Sequence, residues 1–134
     1  MVGFLTFLEG QQPGKLISLA TVLAATPGTR AGTGVTQYPA VGTSAAVAAA
    51  NPGTAPATIT FQLLDGSGTQ LAPAATRTIA ASHQTAFFVS ELFPNGPPVV
   101  LGGSMRITSD KPIVSTALLF QGNLFATLPV FVLP

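Results

Sequence analysis

The residues able to do acid–base or metal chemistry are few and scattered. His83 is the single histidine, in Ala81-Ser82-His83-Gln84, and the four acids are Glu9, Asp65, Glu91 and Asp110. A metal centre needs several converging His, Cys or carboxylate ligands, and cysteine is absent. His83 therefore reads as an exposed turn residue. A serine nucleophile of the elbow type needs Gly-x-Ser-x-Gly, which does not occur. Asp65-Gly66-Ser67-Gly68 would need further oxygen ligands to hold calcium. Asp65 and Asp110 read as turn residues that bond nearby backbone N–H groups. Glu91 reads as support for the start of a short helical turn. Gly32-Thr33-Gly34 lacks the continuation of a phosphate loop. One tyrosine, Tyr38, and no tryptophan make a poor sugar-stacking platform. The expectation is a protein without catalytic residues, cofactor or metal.

Those residues hang on a chain organised around Thr43 to Gly68. Ala57, Ile59, Phe61 and Leu63 alternate with Thr58, Thr60, Gln62 and Leu64, the two-residue period of a half-buried strand. Asn51-Pro52-Gly53 supplies the turn before it and Asp65-Gly66-Ser67-Gly68 the turn after it. Gly3 to Leu8 and Lys15 to Ala25 read as strands apolar on both faces, joined by Gln11-Gln12-Pro13-Gly14. Thr26 to Gly42, rich in Gly, Thr and Pro, reads as a long connection with at most a short strand at Val35 to Tyr38.

Further along, Pro73 marks Thr69 to Ile79 as an edge strand or a bulge. Gln84 to Val89 reads as a strand, and Ser90 to Phe93 as one helical turn capped by Ser90 and ended by Pro94. Val99 to Thr108, with Met105 and Ile107 inward, and Ile113 to Phe120 read as strands separated by a turn at Ser109-Asp110-Lys111-Pro112. After Gln121-Gly122-Asn123, Leu124 to Leu133 reads as a closing strand. Eight or nine short strands between turns predict an all-β antiparallel sandwich in a single domain over residues 1–134. Residues 1–25 form its N-terminal hairpin, a candidate for crossing between subunits, and 34–134 its body. Gly3 to Ala24 and Gly103 to Phe120 echo one another as Gly, strand, polar turn, Lys-x-Ile, strand, at a spacing of roughly 96–100 residues, about one small sandwich domain; a repeated unit and a chance likeness of two apolar hairpins both account for it.

Composition narrows the partners. Charged residues are 7% of 134, net charge is +1, and mean hydropathy is +0.54. The cations Lys15, Arg30, Arg77, Arg106 and Lys111 are dispersed, so no nucleic-acid footprint exists. No segment is long and apolar enough for a membrane span, and Met1 to Gly10 lacks the features of a signal peptide. A weakly charged surface near neutrality favours self-association. The expected partner is another copy, through sheet edges. A glycan is a candidate ligand without a supporting residue cluster.

The region from Tyr38 to Val130 also resembles an immunoglobulin-like β-sandwich repeat of bacterial secreted and cell-surface proteins. The elements that carry the resemblance are Tyr38-Pro39, Asn51-Pro52-Gly53, Asp65 to Gly68, Glu91 to Pro94, Gly103 to Ile113 and Phe125 to Pro129. It implies an extracellular or cell-surface setting and no catalytic residues.

The reading is therefore a structural subunit of an extracellular filament or surface array that packs through its apolar terminal strands; the other reading of those strands is that they complete the protein's own sandwich. The candidate assembly residues are Phe4, Leu5, Phe7, Leu8, Leu124, Phe125, Leu128, Val130, Phe131, Val132 and Leu133. The alternative is an adhesion or carbohydrate-binding module of a larger secreted protein, using loops at Thr26 to Gly42 and Asn95 to Pro98. A virus or phage coat role is compatible with the composition.

Overall fold

A computed structural model describes the backbone of residues 5–9 and 18–22, and backbone with side chains for 27–134. The strands are β1 (Leu5–Glu9), β2 (Ser18–Val22), β3 (Gly28–Gln37), β4 (Thr43–Ala50), β5 (Ala57–Leu64), β6 (Ala75–Ile79), β7 (Gln84–Phe88), β8 (Val100–Gln121), β9 (Leu124–Leu128) and β10 (Phe131–Val132). A 3-10 turn at Pro39–Val41 and a one-turn helix, α1 (Val89–Leu92), complete the described elements. All pairings are antiparallel. The fold is an all-β sandwich.

Strand β8 organises it. Its first half pairs with β3 on one side and β5 on the other, its second half with β4 and β9. One sheet therefore runs β10-β3-β8-β5-β6 and the other β7-β4-β8-β9, with β8 passing from one to the other. The expected turn at Ser109 to Pro112 is instead a bend inside this strand. Gly28 and Arg30 of β3 pair with Ile113 and Thr108, so β8 holds extra residues at the bend, as a bulge does. Asp110 fixes it: its Oδ1 accepts the Thr58 N–H at 2.8 Å. The echo between the N-terminal hairpin and Gly103 to Phe120 fails for the same reason. β1 and β2 pair as a hairpin, whereas the later stretch is one strand.

Two more expectations are corrected. Thr26 to Gly42 is no long connection, because β3 occupies ten residues of it and pairs along β8. Ala31, Thr33, Val35 and Gln37 are buried while Arg30 and Gly34 are exposed, so the strand alternates, but its inward row mixes Thr and Gln with apolar residues. Leu124 to Leu133 is not one strand. It breaks at Pro129-Val130, leaving β9 in one sheet and β10 in the other. Proline, lacking an N–H, stands where the chain changes sheets.

The core lies between the sheets. Ile59, Phe61 and Leu63 of β5 face Val47 and Ala49 of β4, with Met105 and Ile107 of β8 alongside. Phe61 meets Phe87 edge-on at 6.1 Å, and burying each such large side chain contributes about 1.5–3 kcal/mol. β6 is an edge strand, as Pro73 implies. α1 closes one end, placing Val89 and Leu92 in the core. Ser90 does not cap it. The N-cap is Phe88, whose N–H is taken by Glu91 Oε2 at 2.7 Å, so the glutamate supports the helix start as its position suggested.

Candidate interaction surface

The outer face of the sheet β10-β3-β8-β5-β6 carries a shallow groove of about 250 Å³ lined by Gly32, Gly34, Leu64, Arg106, Phe131 and Leu133, with Thr33, Ser104 and Met105 completing it. Strand register builds it. Gly32 pairs with Phe131 on one side and Arg106 on the other, and Arg106 pairs onward with Gln62. One cross-strand row thus reads Phe131, Gly32, Arg106, Gln62. The next reads Gly34, Ser104, Leu64. Where a sheet face normally carries side chains, the two glycines leave bare backbone, and Phe131 and Leu64 stand as walls.

The strap that forms one wall is tied down by polar contacts. Thr33 Oγ1 donates to the Pro129 main-chain oxygen at 2.9 Å. Arg30 donates to the main-chain oxygen of Pro134 at 2.9 Å, and Leu133 N–H to that of Arg30 at 2.9 Å. Phe131 is nonetheless 65% exposed and Val132 61%. Arg106 is exposed and has no hydrogen-bond or ion-pair partner among the described residues. The groove can hold an apolar group on its glycine floor beside an unpaired guanidinium. Among the described residues that line it there is no histidine or carboxylate.

The candidate assembly residues whose side chains are described do not form one surface. Phe131, Val132 and Leu133 lie at the groove and its edge strand. Leu124 is 61% exposed at the opposite sheet's hairpin, Leu128 is half-buried opposite Ala117, and Val130 packs against the core. Phe125 is buried on the outer face of the sheet β7-β4-β8-β9, stacked on Phe120 at 5.3 Å. Phe4, Leu5, Phe7 and Leu8 fall outside the described side chains. Gly32, Gly34, Leu64 and Arg106 were missed as groove residues. The alternation Gly32-Thr33-Gly34 carries the signal, but only once β3 is known to be a strand.

Asp65 and His83 serve loops, while Glu91 supports the start of α1 and Asp110 the bend in β8. Asp65 Oδ1 accepts Ser67 Oγ–H at 2.7 Å and the Ser67 and Thr69 N–H groups at 2.9 Å. These bonds hold its carboxyl below the usual carboxylate value, the Ser67 hydroxyl contributing most. His83 Nδ1–H donates to the Ala81 main-chain oxygen at 2.7 Å. Among the described residues no group of three or more His, Cys, Asp or Glu is placed to hold a metal ion, and no described helix is long and apolar enough to cross a membrane.

No family model matches the chain, and no curated protein matches it. Solved structures do share the fold. The crystal structure of Thermotoga maritima 1070 aligns with a TM-score of 0.57 at 12% identity, over 77% of this chain and 94% of its own. The sensory rhodopsin transducer of Anabaena aligns with a TM-score of 0.57 at 20% identity, over 70% of this chain and 99% of its own. At these identities the likeness establishes the sandwich and nothing finer.

Proposed function

We propose that this protein is a non-catalytic structural protomer that assembles with copies of itself, meeting them through the outer face of the sheet β10-β3-β8-β5-β6. The observation that carries this is the 65% exposure of Phe131 on a two-residue edge strand beside the glycine-floored groove. Covering it would contribute about 1.5–3 kcal/mol before ordering costs. Edge strand β10 is paired only with β3 among the described strands, so a neighbour can add to it. A chain with only 7% charged residues and a net charge of +1 opposes such contacts weakly. The repeat-like region Tyr38 to Val130 supports an extracellular filament or surface array as the setting.

A second reading rests on Arg106. An unpaired cation beside an apolar groove suits a segment of another protein that presents an apolar side chain next to a carboxylate. A sandwich of this kind is named a sensory rhodopsin transducer in Anabaena, and such a role would also need no catalysis.

Light scattering and electron microscopy across concentration test the first reading. Assemblies are expected, and Phe131→Asp should shift them toward monomer with a stability change within about 0.5 kcal/mol, because the side chain is exposed. A monomeric protein at every concentration, or assembly indifferent to Phe131→Asp, would refute it. A monomer that binds acidic, apolar peptides and loses them on Arg106→Gln would establish the second.

A further inference from the structure

Ala48, Thr116 and Leu118 point out of the sandwich, yet they are buried. Pairing fixes their direction: Ala48 stands opposite Thr116 and Ala46 opposite Leu118, out of phase with Val47 and Ala49, which are in the core. An outward row on a sheet face is ordinarily wet. Here Ala48 is 3%, Thr116 5% and Leu118 2% exposed.

Neighbouring rings explain part of this. Phe88 of β7 and Phe120 of β8 approach to 5.2 Å across β4, roofing Ala46, and Phe120 stacks on Phe125. That contact draws Phe88 toward the Ser44–Phe120 rung and away from the Ala48–Thr116 rung. On the latter rung the flanking residue of β7 is the small Ala86, itself exposed. On the β7 side this rung therefore has no large described side chain to cover it. What remains of the chain is its N-terminal segment, and β2 runs alongside β9, the edge of the same sheet.

We propose that the outer face of the sheet β7-β4-β8-β9 is a docking face for the chain's own N-terminal hairpin, β1 and β2, lying over Ala48, Thr116 and Leu118 as a third layer. The sequence of β4 fits this role. Thr43-Ser44-Ala45-Ala46-Val47-Ala48-Ala49-Ala50 is small and mostly apolar on both faces, the pattern of a strand covered on both sides. An alanine and threonine floor also lets a covering layer come closer than the usual ~10 Å between packed sheets. The face lies on the opposite sheet from the groove, so this inference stands or falls apart from the assembly reading.

The absence of native cysteine allows a reporter in the full chain. Thr116→Cys is a near-isosteric change at the centre of the face, and Ala86→Cys a control on the same face. The thiol introduced at 116 should react with a thiol reagent at least about tenfold slower than the one at 86, at every protein concentration. Adding Leu19→Asp and Ala20→Asp, consecutive residues of β2, should abolish this protection while β5 amides keep theirs. If those charges disturb β5, Leu19→Ser with Ala20→Ser replaces them. Equal reactivity at 116 and 86 would overturn the proposal, and so would protection that survives both β2 pairs. Protection that fades on dilution would also overturn it, by assigning the cover to a second copy.

Discussion

The side-chain amide of Asn51 donates to the main-chain oxygen of Ile79 at 3.1 Å, clamping the loop after β4 to the end of β6. Asn51 is 1% exposed. Its Nδ2 also faces the main-chain oxygens of Ala55 at 2.8 Å and Ala80 at 3.3 Å, and its Oδ1 accepts the Gly53 N–H at 3.0 Å. One amide thus joins two loops from opposite sheets.

Removing that amide strands buried acceptors. Asn51→Ala is expected to cost about 2–4 kcal/mol, since several bonds are lost at once and their partners stay dry. Asn51→Asp should cost more, because it turns a carboxylate oxygen toward three carbonyl oxygens. Urea unfolding measures both. An Asn51→Asp variant as stable as the native protein would show that the clamp does not depend on the donor.

Glycines in neighbouring rungs of the β3–β8 ladder should respond in opposite directions. Gly103, opposite Val35, is buried, and a Cβ there would strike Val100 Cγ1 and lie 2.8 Å from the Leu64 main-chain oxygen. Gly103→Ala should cost about 1–3 kcal/mol, as overpacking does. Gly34, opposite Ser104, has nothing within 4 Å of such a Cβ. Gly34→Ala should be neutral or stabilise by up to about 1 kcal/mol through the unfolded chain, while filling part of the groove floor. Thermal unfolding separates the pair, and a loss at Gly34 as large as at Gly103 would contradict the open floor.

These examples show what the sequence could disclose. Ile59, Phe61 and Leu63 were legible because a two-residue period of large apolar side chains has one good interpretation. Strand β3 was not, because Gly32 and Gly34 occupy its outward row and Thr33 and Gln37 its inward one. Its strand character comes from pairing with β8, a long-range effect that outweighs local propensity. The polar, proline-ended Ser109 to Pro112 marks a real change of direction, but a hairpin and a strand passing between sheets present the same local signal. The groove depends on register between β3, β8 and β10, which no single segment encodes.

Gln37 marks a place where the fold tolerates an imperfect fit. It is 5% exposed, its Oε1 is buried without a partner, and its Nε2 reaches only the Pro98 main-chain oxygen at 3.4 Å. An unsatisfied buried acceptor costs free energy. Gln37→Met keeps the length of the side chain and removes that acceptor, while exposed Pro98 can bond water instead. The variant should be unchanged or more stable by up to about 1 kcal/mol in urea. A loss above about 2 kcal/mol would show that the amide has a role in holding the end of β3.

Asp65 makes stability depend on acid. The Ser67 hydroxyl first, then the Thr69 N–H and the Ser67 N–H, favour its ionised form, so its folded pKa lies below the ordinary value of 3.8. A depressed carboxyl pKa means the unfolded chain binds the proton more readily. The stabilisation is therefore complete above 3.8 and is lost as pH falls through the lower, folded value. The loss caused by Asp65→Ala, read from urea midpoints, should be constant between about pH 7 and about pH 5 and shrink toward its smallest value in strong acid. Ser67→Ala should move the Asp65 titration back toward 3.8 by carboxyl NMR, since it removes the largest favourable bond. A penalty that does not change with pH would mean that Asp65 supports the turn through its shape and not its charge.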